Sequence, residues 1–220
     1  MRKELHEENR LAWNAATVAH NSHKVDQARF LREGGTTLFP EEVELLGDLS
    51  GTSLVHLQCN AGQDSLSLVR LGATVTGVDI SDEAIGFARR LSAESGIPAT
   101  FVRADVYDWL AEAAEGPERY DVVFSSYGAI TWLSDIRAWG RGIGAILKPG
   151  GRFVLVEFHP ITGMFGWGWS WKYPIGIKLR RDGVTTGTRS GMVRVCCSPA
   201  CPRRSPRVQS ATGRPRPAAG

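Results

Sequence analysis

Long apolar runs are missing from this sequence. No stretch approaches the roughly 20 consecutive apolar residues that a membrane-spanning helix needs. The opening residues Arg2, Lys3, Glu4, Glu7 and Glu8 are charged where a secretory leader would be apolar. A cytoplasmic protein without membrane contact is therefore expected. Cysteine is scarce too, with four in 220 residues. Cys59 stands alone, and Cys196, Cys197 and Cys201 crowd together without the spacing of a metal site or a disulfide framework, so no metal is expected. Acidic side chains are absent after Asp182. Of the 26 basic residues, seven arginines lie in 183–220, which leaves 19 basic against 23 acidic over 1–182, a net of −4. The basic isoelectric point thus belongs to the tail, and a mildly acidic body argues against nucleic acid as a partner.

The apolar content that is present, 42% of the chain, suffices for one well-packed α/β domain. The organising stretch is 53–81. Leu54, Val55 and Leu57 are bounded by polar residues, as in a short strand buried within a parallel sheet. Leu66, Leu68, Val69 and Leu71 follow at roughly helical spacing, and Gly72 stands where a C-terminal cap would. Val75 and Val78 begin a second strand that ends on Asp79. This is a βαβ unit with an acid at the tip of its second strand, the position from which a carboxylate holds a ribose diol. The turn decides the ligand class. A pyrophosphate binder needs Gly-x-Gly-x-x-Gly so that its backbone can close on the phosphates. Here Gln58 and Asn60 replace the first glycines and only Gly62 remains, which favours a sulfonium nucleoside over a dinucleotide.

The run His56-Leu57-Gln58-Cys59-Asn60-Ala61-Gly62-Gln63-Asp64, followed by Val78-Asp79-Ile80-Ser81, resembles motif I and its acidic partner in class I S-adenosylmethionine-dependent methyltransferases. It is most similar to a bacterial branch carrying His-Leu-Gln-Cys at this place, and the resemblance extends over roughly 9–175. It implies a Rossmann-like, doubly wound, mostly parallel sheet with helices on both faces, and S-adenosyl-L-methionine as cofactor. The residues it places at the cofactor are Gln58, Cys59, Asn60, Gly62, Gln63, Asp64, Asp79, Ile80 and Ser81. Ala104, Asp105, Val106 and Ser125 join them from later in the chain. Asp105, 26 residues after Asp79, falls where the family accepts a hydrogen bond from the adenine amino group. It also suits the N-cap of a following helix, and both roles are compatible.

Three divisions follow: an N-terminal helical cap over 1–52, the cofactor-binding core over 53–182, and the tail over 183–220. In the cap, 3–20 reads as a partly amphipathic helix, and 41–46 as another with acids in its first turn. Trp13 and His20 match the family's pocket-covering segment; alternatively, Trp13 packs a helix and His20 is solvated. In the core, Ser81 suits the N-cap of a helix ending at Gly96, and 99–102 and 120–126 read as strands. Ser126 and Tyr127 then lie under the transferred methyl group or simply cap the strand. A helical stripe runs from Trp132 to Leu147, and Lys148-Pro149-Gly150-Gly151 leads into a strand over 152–158. His159 at its end is the candidate general base or a structural histidine beside Pro160. Trp167, Trp169 and Trp171 alternate on one face of an extended segment, as a substrate wall or as packing.

The reaction expected is direct SN2 methyl transfer to a small-molecule O, N or C nucleophile. Alignment of the acceptor can supply about 7–11 kcal/mol, and a base adds about 10²–10⁴-fold only if the acceptor must lose a proton. A nicotinamide oxidoreductase shares the βαβ unit but not these glycine replacements. A non-catalytic S-adenosylmethionine-binding or scaffold protein, or a truncated inactive methyltransferase, remains an alternative. The tail is rich in Arg, Pro, Ser, Ala and Gly with little apolar periodicity, which reads as disorder. Many of these residues have GC-rich codons, so a shifted reading frame with native coding ending near 182–193 also accounts for it. On the frame-shift account, another frame of the gene encodes an apolar helix and further strands beyond this point; their absence from both other frames would contradict it.

Overall fold

The computed structural model describes residues 2–24 and 26–158 together with the backbone of 192–197. Helix α1 (Lys3–Ser22) is followed by α2 (Gln27–Arg32) and α3 (Pro40–Leu46). The core then alternates β1 (Ser53–Leu57), α4 (Gln63–Arg70), β2 (Thr74–Asp79), α5 (Asp82–Ser95), β3 (Thr100–Arg103), α6 (Val106–Glu115) and β4 (Tyr120–Ser126). A short 3-10 turn (Ile130–Trp132), α7 (Ile136–Ile146), β5 (Leu147–Phe158) and β6 (Met192–Cys197) follow. The sheet order is β3-β2-β1-β4-β5-β6, parallel except for β6, which runs antiparallel to β5. This is the Rossmann-like, doubly wound architecture. The connections reverse direction between β1 and β4, and in open α/β sheets ligands bind beyond the strand ends at that reversal.

Both faces of the sheet are buried, which is why the strands read as runs rather than as alternating patterns. Leu54, Val122 and Phe124 pack beneath α3 and α4 with Leu46 and Leu68. Val55, Leu57 and Val123 point the other way, toward Leu110, Trp139 and Ile143 of α6 and α7. A third cluster joins Leu31, Leu66, Ile85, Leu91 and Phe101.

Local signals end the helices. Pro40 opens α3, and the Glu42 side chain accepts the Phe39 N–H at 2.8 Å. Ser81 caps α5 through the Ala84 N–H at 3.1 Å, and Gly96 ends it in a left-handed conformation. The stripe from Trp132 does not form one helix. Asp135 accepts the Ala138 N–H at 2.8 Å and starts α7 afresh, leaving Trp132 and Leu133 in the preceding turn. Helix α2, capped by Asp26 on the Arg29 N–H at 2.8 Å, was not apparent from the apolar pattern. Strand β5 begins earlier than expected because Leu147 pairs with Tyr120, the register shifting before Val122 meets Arg152. Strand β6 falls within the tail read from composition as lacking regular structure. Its Val193 and Val195 are β-branched, and it pairs along the edge that β5 would otherwise leave open.

Gly62 ties sequence to packing directly. Its φ is +78°, and a Cβ there would lie 2.6 Å from the Ala88 Cβ and 2.8 Å from the Phe101 Cζ. Gly62→Ala is expected to destabilise the fold by about 1–3 kcal/mol, the usual cost of overpacking. Urea unfolding tests this, and an unchanged midpoint would contradict the packing.

Candidate functional site

The turn after β1 is built from three left-handed residues, Gln58 (φ 51°), Asn60 (φ 49°) and Gly62 (φ 78°). Glycine adopts this region freely and asparagine tolerates it; for glutamine it is uncommon. The Cys59 N–H extends the β1–β2 pairing by donating to the Val78 carbonyl at 3.0 Å. The Asn60 N–H then donates to Oδ2 of Asp79 at 2.8 Å, while the Ser81 N–H donates to Oδ1 at 2.9 Å. Burial pushes the Asp79 carboxyl up from its ordinary value, and the N–H groups of Ser81, Asn60 and Ile80 oppose that shift.

Asp105 caps α6, with Oδ1 accepting the Tyr107 N–H at 2.9 Å. Its Oδ2 receives Lys3 Nζ at 2.9 Å and lies 2.6 Å from His6 Nδ1. Burial raises this carboxyl, and Lys3, the Tyr107 N–H and His6 outweigh it, leaving it below the ordinary value. At the end of β4, Ser126 Oγ lies 3.4 Å from His56 Nε2. The ring of Tyr127 sits between Phe39 and Phe158 at centroid distances of 5.6 and 4.9 Å. Burial and then the charges of Glu42, Glu41 and Asp64 push its hydroxyl up. The following loop is pinned by Glu157, which accepts the N–H groups of Gly128, Ile130 (3.1 Å) and Phe158 (2.8 Å).

These elements enclose a cavity of ≈ 190 Å³ beyond the ends of β1, β2, β3 and β4. Of the residues singled out from sequence, Gln58, Cys59, Asn60, Asp64, Asp79 and Ile80 line it, as do Ala104, Asp105, Val106, Ser126, Tyr127 and Trp13. A larger hollow of ≈ 600 Å³ adjoins it, sharing Trp13, Cys59, Asn60 and Asp64 and adding Gln63, His20 and Lys24. Gly62 and Ser81 support the walls instead: Gly62 packs on α5, and Ser81 caps that helix while donating to Asn14 Oδ1 at 2.7 Å. Ser125 is buried beneath, outside the lining. His159, Trp167 and Trp169 lie outside the described residues. Sequence reasoning missed His6, Asn9, His56, Trp132 and Glu157. Two of these carried a signal: His56 opens the motif-like run at the βαβ turn, and Glu157 is an acid closing an otherwise apolar strand.

Several buried polar atoms have no hydrogen-bond partner among the described residues: both amide atoms of Gln58 and the hydroxyls of Ser125 and Tyr127. Such groups cost free energy unless paired. The Gln58 amide borders the cavity beside the βαβ turn, where it can both donate and accept. That fits the amino and carboxylate end of an amino-acid-bearing nucleoside, while Asp79 fits its ribose hydroxyls. Among the described residues no group of three or more His, Cys, Asp or Glu is arranged to hold a metal, and no helix is long and apolar enough to cross a membrane.

Comparison with known proteins bears on the fold and the family likeness. Residues 55–151 match a family model described as a methyltransferase domain. The chain is 37% identical over 103 residues to a ubiquinone biosynthesis O-methyltransferase of Proteus mirabilis, covering 47% of this chain and 40% of that protein. It is 31% identical over 149 residues to a protein of the same name from Methylobacterium nodulans, covering 67% of this chain and 58% of that one. The chain thus spans about half the length of the curated relatives it matches. A solved DhpI–SAH complex superposes with a TM-score of 0.54 at 21% identity, covering 72% of this chain and 71% of that one. At that identity the likeness is one of fold, a mostly parallel, Rossmann-like sheet flanked by helices.

His56 behaves differently from an exposed histidine. It is buried under the turn, with Nδ1 2.9 Å from Ser65 Oγ, and burial pushes its pKa down from 6.5 to about 3. Between those values the unfolded chain binds the proton and the folded one does not, so this group withdraws stability as pH falls from 6.5 toward 3. Glu42, pushed up to about 7 by burial, acts oppositely over part of that window, since its folded form binds the extra proton. The His56 ring resonances are the direct readout. They are expected to stay neutral between about pH 5 and 8, and a midpoint within that range would contradict the assigned burial.

Proposed function

We propose that this chain binds S-adenosyl-L-methionine across the ends of β1, β2 and β3 and catalyses methyl transfer to a small-molecule nucleophile. The observation that carries the reading is the Asp79 carboxylate, held by two backbone N–H groups at the tip of β2 and facing a cavity whose turn lacks a pyrophosphate cradle. The cofactor supplies a methyl group already activated on a sulfonium, open to in-line displacement. The chain's own task is to bind, align and exclude water. In this reading Asp79 accepts from the ribose hydroxyls, Asp105 accepts from the adenine amino group, and the Gln58 amide meets the amino-acid end. Cys59, Asn60, Ile80, Ala104 and Val106 complete the walls.

Ser126 and Tyr127 at the tip of β4 border the cavity on the acceptor's side, and Trp13 with Trp132 closes it, their rings edge to face at 5.5 Å. The larger adjoining hollow gives room for an acceptor of small-molecule size. The names of the two curated relatives favour oxygen as the atom methylated. The His-Leu-Gln-Cys turn supports membership of the corresponding bacterial branch.

Titration calorimetry tests the reading. Micromolar binding of S-adenosylmethionine with none of NAD is expected. Asp79→Ala should weaken that binding at least about tenfold, the loss expected for charge-assisted hydrogen bonds. Normal affinity in the variant, or equal binding of NAD, would contradict the assignment.

A further inference from the structure

The adenine end of the cavity contains a side chain that no sequence pattern pointed to. His6, in the first turns of α1, is 5% exposed and lines the cavity. Its Nδ1 lies 2.6 Å from Asp105 Oδ2 and its Nε2 2.6 Å from Ser134 Oγ. The ring lies nearly flat on Tyr107, with centroids 5.1 Å apart and 11° between planes. Tyr107 is itself fixed: its hydroxyl accepts the Asp135 N–H at 2.8 Å and its own N–H donates to Asp105 Oδ1. Helix α1 and the first turn of α6 thus meet at one carboxylate, while the Ser134–Asp135 segment anchors His6 and Tyr107 beside it.

The chemistry of these contacts assigns their direction. A carboxylate only accepts, so Nδ1–H donates to Asp105. In the neutral ring Nε2 then accepts from the Ser134 hydroxyl, which can donate or accept as needed. The Asp105 carboxylate offers about four acceptor positions, so acceptor capacity remains beside Tyr107 N–H, His6 and Lys3 for a ligand donor. Lys3 is a weaker guide to orientation. It is 48% exposed, it divides its ammonium between Asp105 and Asp108 (2.5 Å), and it acts as a point charge on a flexible stem. The stacked and doubly anchored imidazole is the rigid partner.

We infer that His6 is a positioning residue that makes the site selective for the nucleobase: it holds Asp105 as an oriented acceptor, which admits the amino edge of adenine and disfavours the oxo edge of hypoxanthine. The inference rests on the proposal that the cavity takes S-adenosylmethionine. A base presenting an oxygen where adenine presents an amino group sets acceptor against acceptor, and unpaired polar groups of this kind are what give hydrogen-bonding sites their discrimination.

The test is calorimetry with S-adenosylhomocysteine and its inosine counterpart on the full chain and on variants at position 6. The unaltered chain should favour the adenine form, and His6→Ala should reduce that ratio about tenfold, the value of one charge-assisted hydrogen bond. His6→Asn places an amide donor near the Nδ1 position and should restore most of the ratio. His6→Gln reaches the Ser134 side without that donor and should not. A purely structural role for His6 predicts that both ligands weaken together at constant ratio in all three variants, and that result would overturn the inference. So would an unaltered chain that binds both ligands equally. Binding of neither ligand by the unaltered chain would instead defeat the cofactor proposal, and this inference with it. Should His6→Ala fail to fold, the contrast between His6→Asn and His6→Gln decides the matter.

Discussion

One carboxylate ties the ligand-facing end of the sheet together. Asp79 receives the Asn60 N–H on one oxygen and the Ser81 N–H on the other, so the turn leaving β1 and the turn entering α5 are locked to the same side chain. Placing a carboxylate in this buried position raises its proton affinity, and the surrounding backbone donors only partly offset that. The arrangement is costly for a structural link alone. It becomes economical when hydroxyl donors of a ligand supply the remaining hydrogen bonds. Packing holds the geometry in place, because Gly62 lies against α5 and β3 with no room for a side chain.

Helix α1 completes the enclosure from outside the sheet. It reaches the β3–α6 junction through Lys3 and His6, the 3-10 turn through Asn9 (3.3 Å to the Trp132 carbonyl), and the start of α5 through Arg10 and Asn14. Exposed members of this set, such as the pair of Arg10 and Asp82, contribute little each in water. The His6 contact is buried and directional. The helix therefore acts on the site through Asp105 more than through its surface charges. Glu157 does the corresponding work on the opposite wall, holding the Gly128–Ile130 backbone over the strand ends with a single carboxylate.

Local chemistry made much of this legible in the sequence. Buried parallel strands read as short apolar runs, and the positions of Ser81, Gly72 and Gly96 marked helix ends correctly because capping depends on neighbouring backbone alone. The βαβ repeat put Asp79 at a strand tip and the family resemblance singled out Asp105, and both border the cavity. The misses have the opposite character. His6 matters only through Asp105 and Ser134, residues 99 and 128 positions away, and nothing beside it on α1 signals this. The expected helix from Trp132 failed because an apolar stripe cannot show where a side-chain cap such as Asp135 restarts the chain. Composition hid β6, since strand pairing along an open edge depends on the partner as much as on the segment.

The most direct test of this account is a map of amide resonances on adding S-adenosylhomocysteine. The account predicts that shifts concentrate at 58–62, 79–81, 104–107 and 126–128, and leave the opposite end of the sheet, at Ser53, Thr74 and Lys148, unmoved. Shifts centred on that opposite end, or none in a folded chain at saturating ligand, would contradict it.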